Sequence, residues 1–184
     1  MQKKETLMGN QFYEDRLAAE AEYPYLKKFR NVKIAPASIN NKGGLGEWEA
    51  PDSPTNPYPG SYTITIGKNV KGQPGGVKKT IIDDMVHAAS DLDPEMRQLK
   101  SELIESLSAN ELRFAKKKYE QDFAGKYSGS NFESFDSFLK TYWSDGIIQH
   151  LLNKENSEID EIRKGNPKAN PVLDRIFQKF KSGK

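Results

Sequence analysis

Cysteine is absent from this 184-residue chain, which excludes disulfide staples and any chemistry that runs through a thiolate. The absence accords with a reducing compartment. Long hydrophobic runs are missing too: no stretch approaches the ~18 consecutive apolar residues that cross a bilayer, so no membrane partner is expected. Nor is charge of one sign in excess. Lys and Arg number 28 against 26 Asp and Glu, a net charge of +2. That balance lacks the whole-domain basic footprint of a nucleic-acid binder, and no nucleic-acid partner is expected. The opening Met1-Gln-Lys-Lys-Glu-Thr-Leu-Met-Gly9 has no apolar segment of the kind a secretory signal carries, so cytoplasmic synthesis is the expectation. Histidine is scarce, with two residues, which makes the position of each informative.

Apolar residues make up only 35% of the chain and charged ones 29%, but nine Phe, eight Tyr and two Trp compensate. Each ring is a large contributor to a core or an interface. The length fits one domain that buries roughly 70% of its unfolded surface.

Three zones follow from the pattern. Residues 1–30 read as an N-terminal arm and helix, with Phe12, Leu17 and Ala21 on one face and Pro24 breaking or restarting it. Residues 31–184 read as a single α+β domain, with sheet and loops over 31–78 and helices over 79–184. Short β-like runs at Val32–Ile34, Leu45–Glu49 and Tyr62–Ile66 suggest a small antiparallel sheet. Asn40–Gly44 suits a hairpin connection. Pro51–Gly60 is a proline-stiffened loop, and Gly67–Gly76 a flexible connection in which Asn69–Gly76 reads as a mobile linker.

Beyond Lys79 the signals are helical. Asp93-Pro94 supplies an N-cap and first-turn proline ahead of Met96, Leu99, Leu103 and Leu107. Ser108-Ala-Asn-Glu111 is a capping box before Leu112, Ala115, Tyr119 and Phe123. Phe132, Phe135, Leu139, Tyr142 or Trp143, Ile147 and Leu151 trace an aromatic helix after a loop at Gly125–Asn131. A short helix over Ser157–Lys164 stops at Gly165, and Asn170-Pro171 opens the last one. Strands gathered before helices indicate α+β rather than alternating α/β.

The segment Thr80-Ile-Ile-Asp-Asp-Met-Val-His-Ala-Ala-Ser90 places a candidate site on a predictable scaffold. At about 100° per residue, Asp83, Asp84, His87, Ser90 and Asp91 share one helix face, while Ile81, Ile82, Met85, Val86 and Ala89 take the other. The commoner origin of such a stripe is an amphipathic helix turned to water.

A small sheet, a loop and then a helix bearing Asp83-Asp84-Met85-Val86-His87 resembles the zincin-like metallopeptidases, whose helix carries His-Glu-x-x-His. The likeness spans roughly residues 31–107 as topology and five residues as motif, departing at the first two positions. His87 matches the second zinc histidine. The resemblance implies metal ligands at Asp83 and His87, with a third from Asp91 on the same face or from an acidic residue on a later helix such as Glu102 or Asp145, and a catalytic role for Asp84. Replacing an imidazole by Asp83 shifts preference from zinc toward harder divalent ions. Asp84 stands where the general-base glutamate would be, one methylene shorter. A displacement of about 1 Å costs on the order of 10²-fold in rate, so a degenerate member that keeps the scaffold is implied.

Other features have ordinary explanations. His150 and Asp145 could pair for catalysis, although a histidine capping the last turn of a helix is more common. Glu47 and Glu49 flank Trp48 and suggest a solvent face with a buried indole. Lys116, Lys117 and Lys118 fit a mixed-charge helix face. Gly67–Gly72 fails as a phosphate loop because Gln73-Pro74 follows.

Phe135, Tyr142, Trp143 and Trp48 are the candidate interaction residues, since aromatics build protein–protein contacts, although core packing explains the aromatic helix equally well. The expectation is therefore a non-catalytic binding or assembly protein on a degenerate zincin-like scaffold, with a protein partner or a second copy. The turn-rich style suggests a phage or mobile-element protein carried in a viral particle. The alternative is a metal-dependent hydrolase with a divalent ion at the variant motif.

Overall fold

The computed structural model describes residues 12–37, 46–70, 73, 75–126 and 132–183. It is an α+β protein with an N-terminal helix, a three-stranded sheet and a mainly helical C-terminal half. Two compact units divide the chain: residues 1–89 with 179–184, and residues 90–178.

In the first unit, α1 (Tyr13–Glu22) carries Glu14 and Asp15 in its first turn, where the positive end of the helix favours them. Pro24 cannot continue it and instead opens a 3₁₀ segment, Pro24–Phe29. The buried residues are Phe12, Ala19, Glu20 and Tyr23, whereas Leu17 and Ala21 face outward. The expected apolar stripe is thus rotated, because Glu20 is held inside by Arg16 at 3.5 Å and Arg30 at 2.8 Å. The guanidinium of Arg16 also donates to the Val32 and Phe29 carbonyls, joining α1 to the segment that follows. Tyr23 and Tyr25 meet Phe180 edge-on, with Lys181 and Lys179 over their faces at 4.8 and 5.0 Å.

The sheet comprises β1 (Lys33–Pro36), β2 (Gly46–Glu49) and β3 (Thr63–Ile66), in the order β1-β3-β2. β2 runs antiparallel to β3, but β1 runs parallel to it, so the sheet is mixed rather than wholly antiparallel. Strand spacing alone does not fix this, since the last strand in sequence has inserted between the first two. The residues proposed for a hairpin, Asn40–Gly44, lie outside the described residues, and the strands on either side pair with β3, not with each other. Every β3 residue is buried, as a central strand requires.

The loop between β2 and β3 is held from within. Asn56 donates to the carbonyls of Ala50 and Ser61 and accepts from the Tyr58 amide. Ser53 and Thr55 donate to Glu49. Glu49 is therefore buried, while Trp48 is only half-buried and stacks on Tyr62 at 5.0 Å. The reverse was expected, because alternation along a strand does not say which face is covered.

Gly75 and Gly76, at φ +80° and +55°, make the left-handed turn that starts α2 (Gly76–Leu92). About half of α2 is buried: Val77, Ile81, Ile82, Met85, Val86, Ala88 and Ala89, together with Asp84 and Ser90.

The second unit is built on local signals that act as read. Asp93 caps α3 (Pro94–Ser106) by accepting from Glu95. Ser108 and Glu111 form both bonds of the capping box on α4 (Ala109–Asp122). Short α5 (Phe135–Phe138) runs through a π-helical stretch, Leu139–Trp143, into α6 (Ser144–Leu152). Such insertions widen the helix and shift the facing of later residues. Helix α7 (Asn156–Gly165) and α8 (Asn170–Ser182) complete the chain. Among the described residues, no helix is long and apolar enough to cross a membrane.

Candidate functional site

Asp83, Asp84 and His87 lie on the part of α2 that belongs to the first unit, and they do not share one environment. Asp83 is half-buried and takes the ammonium of Lys79, one turn earlier, at 3.3 Å. His87 is half-buried. Asp84 is 7% exposed, and its Oδ2 has no hydrogen-bond partner among the described residues. Leaving the water it would otherwise have pushes this carboxyl up to about 7. Asp83 and Glu47 add to that, and His87 opposes it.

What presses on Asp84 is β2. A Cβ placed on Gly46 would lie 2.5 Å from Asp84 Oδ2, 2.5 Å from Thr80 Cγ2 and 3.1 Å from the Thr65 carbonyl. The carboxyl and the strand backbone are in contact, and only a residue without a side chain fits between them. Gly46→Ala is therefore expected to destabilise the protein by about 1–3 kcal/mol through overpacking. Urea unfolding checks this, and an unchanged midpoint would contradict the contact.

Asp91 is exposed in the second unit, where Arg97 donates to its main-chain carbonyl at 2.6 Å. Ser90, from the same polar stripe, is buried and donates to Asp145 Oδ1 at 3.1 Å. Lys100 donates to that same oxygen at 3.0 Å. Asp145 is thus engaged with Ser90 and Lys100, while His150 meets Glu155. Among the described residues, one group of three His, Asp or Glu side chains brings its ligand atoms within 4.8 Å of one another: His150, Glu155 and Glu158. The set proposed on α2 does not form such a group.

The candidate interaction residues divide as well. Trp48 belongs to the sheet. Phe135, Tyr142 and Trp143 join a ring cluster in the second unit, with Tyr142 4.7 Å from Phe123 and 5.4 Å from Phe138. Phe138 is the buried hub of this cluster. Sequence reasoning passed over Phe114, which is 65% exposed on α4 and 5.9 Å from Trp143. The signal was available: Phe114 falls off the stripe set by Leu112, Ala115 and Tyr119, so an aromatic had to lie on the outer face.

No protein-family model, no curated protein and no solved structure matches this chain.

Proposed function

We propose that this chain is a non-catalytic binding or assembly protein on a degenerate zincin-like scaffold, acting in a particle-associated role such as phage proteins fill. One observation carries the binding reading. Phe114 and Tyr142, 65% and 45% exposed, stand on a cluster of packed rings in the second unit. Rings braced from behind lose little freedom on docking and offer large apolar area, the composition found at the centre of interfaces. The enclosure of Asp84 supports the non-catalytic half: its Oδ2 abuts β2, which leaves that oxygen no room to hold a water for attack.

Sedimentation velocity over a concentration series tests the reading. Reversible association is expected, weakened at least about tenfold by Phe114→Ser with Tyr142→Ser, since each hot-spot ring typically carries more than 1 kcal/mol. Circular dichroism would confirm that the variant stays folded. A monomer at every concentration, or association indifferent to the two substitutions, overturns self-assembly through this face.

The second reading is a metal-dependent hydrolase with Asp83 and His87 as ligands and Asp84 activating water. It draws on the position of Asp84 near neutrality, where a general base works best. Thermal melting with magnesium, manganese or calcium decides it. A bound ion raises the melting temperature of the parent but not of Asp83→Ala or His87→Ala. Equal melting of all three proteins under every ion removes it.

A further inference from the structure

His150, the residue read above as a helix cap, lies in the last turn of α6, at the centre of a different arrangement. A tight reversal follows: Asn153 donates to the Gln149 carbonyl, Glu155 donates to the His150 carbonyl at 3.1 Å, and Lys154 adopts φ +58°. A lysine in the left-handed region is uncommon and costs free energy. What the reversal achieves is to bring Glu155, at the N-cap of α7, and Glu158, in its first turn, back beside the imidazole. The three ligand atoms lie within 4.8 Å of one another.

The Nδ1 of His150 is enclosed yet lacks a hydrogen bond of acceptable geometry, although a Glu155 carboxylate oxygen is its close neighbour. The imidazole nitrogen and the Glu155 carboxylate thus already face each other.

We propose that His150, Glu155 and Glu158 form a binding site for a divalent first-row transition-metal ion, with zinc as the probe. One imidazole and two carboxylates make a borderline donor set, suited to zinc or manganese and poor for magnesium or calcium, which want oxygen alone. His150 and Glu155 are half-buried and Glu158 is exposed, so the remaining coordination positions stay open to water or to a donor from another molecule. The site would pin the turn between α6 and α7. It is independent of the α2 motif and of the aromatic face.

The test is zinc titration of the full chain by calorimetry, with thermal melting alongside. One zinc per chain is expected, with a raised melting temperature. Affinity should fall by at least about tenfold in His150→Gln and in Glu158→Gln, as loss of a ligand or its support does elsewhere. His87→Gln, which removes the other histidine, should bind as the parent does, and magnesium should compete poorly. Zinc binding that survives His150→Gln, or that is lost in His87→Gln instead, overturns the proposal, as does zinc that leaves the parent's melting unmoved. Should His150→Gln fold poorly, the Glu155→Gln and Glu158→Gln variants carry the same test, and unaltered affinity in both overturns it.

Discussion

Asp145→Ala should lower stability by about 3–5 kcal/mol, the loss that follows when one member of a buried ion pair is removed and the other is left behind. The geometry supports a value in that range. Asp145 Oδ1 accepts from Lys100 Nζ at 3.0 Å and from Ser90 Oγ at 3.1 Å, and both donors are buried. Without the carboxylate, the Lys100 ammonium remains inside the second unit without its ion-pair partner, and the Ser90 bond to Asp145 is lost. The cost should exceed that of Ser90→Ala, which removes one neutral donor and is worth about 1 kcal/mol.

The pair is weak evidence for net stabilisation, however. Replacing both partners, Lys100→Met with Asp145→Leu, should recover most of the loss, because neither charge then has to be desolvated. Urea unfolding of the parent, Lys100→Met, Asp145→Leu and the double variant supplies the coupling energy. If Asp145→Ala costs less than about 1 kcal/mol, the site is wetter than the geometry implies.

The second large effect depends on pH. Asp84 has an ordinary carboxyl value of 3.8 when unfolded and about 7 in the folded protein. Between these values the folded state holds a proton that the unfolded state releases, so stability declines as pH rises. The slope is about 1.4 kcal/mol per pH unit, summing to roughly 4 kcal/mol across the window from about pH 4 to pH 7. Above pH 7 the penalty is fully present, and below pH 4 it vanishes.

Asn cannot ionise, so Asp84→Asn should escape the penalty. Its melting temperature, compared with the parent's, should climb from pH 4 to pH 7 and then level off. Taking the difference between the two proteins cancels most of the titration of other groups, although His87, Asp83 and Glu47 shape the midpoint. A difference that stays constant with pH would show that the carboxyl is solvated and that the Gly46 contact opens in solution.

Much of the fold was legible in short stretches. Asp93-Pro94, Ser108 with Glu111, and Asn170-Pro171 each open a helix as read. Met96, Leu99, Leu103, Leu173 and Ile176 are buried as their spacing implies. The candidate site was legible only as composition. Asp83, Asp84 and His87 do share a helix, but which of them meets water was misjudged, since β2 covers Asp84 and Lys79 holds Asp83. Glu49 was missed for a similar reason: its burial depends on Ser53 and Thr55 folding back over it. Nothing in the residues around Leu139–Trp143 signalled a π-helical stretch.

The sequence by itself determined the starts of the helices at Pro94, Ala109 and Asn170 and the grouping of strands before helices. Caps, prolines and left-handed glycines act on backbone groups within a few positions, so their effect needs no distant partner. Tertiary structure decided the strand order, the parallel pairing of β1 with β3, and the partners of the buried charges. Lys100 and Asp145 stand 45 positions apart, and Gly46 reaches Asp84 only because β2 is a strand on the edge of the sheet. Charge is inexpensive in water and costly without it, so the chemistry of a carboxylate follows from what arrives to cover it.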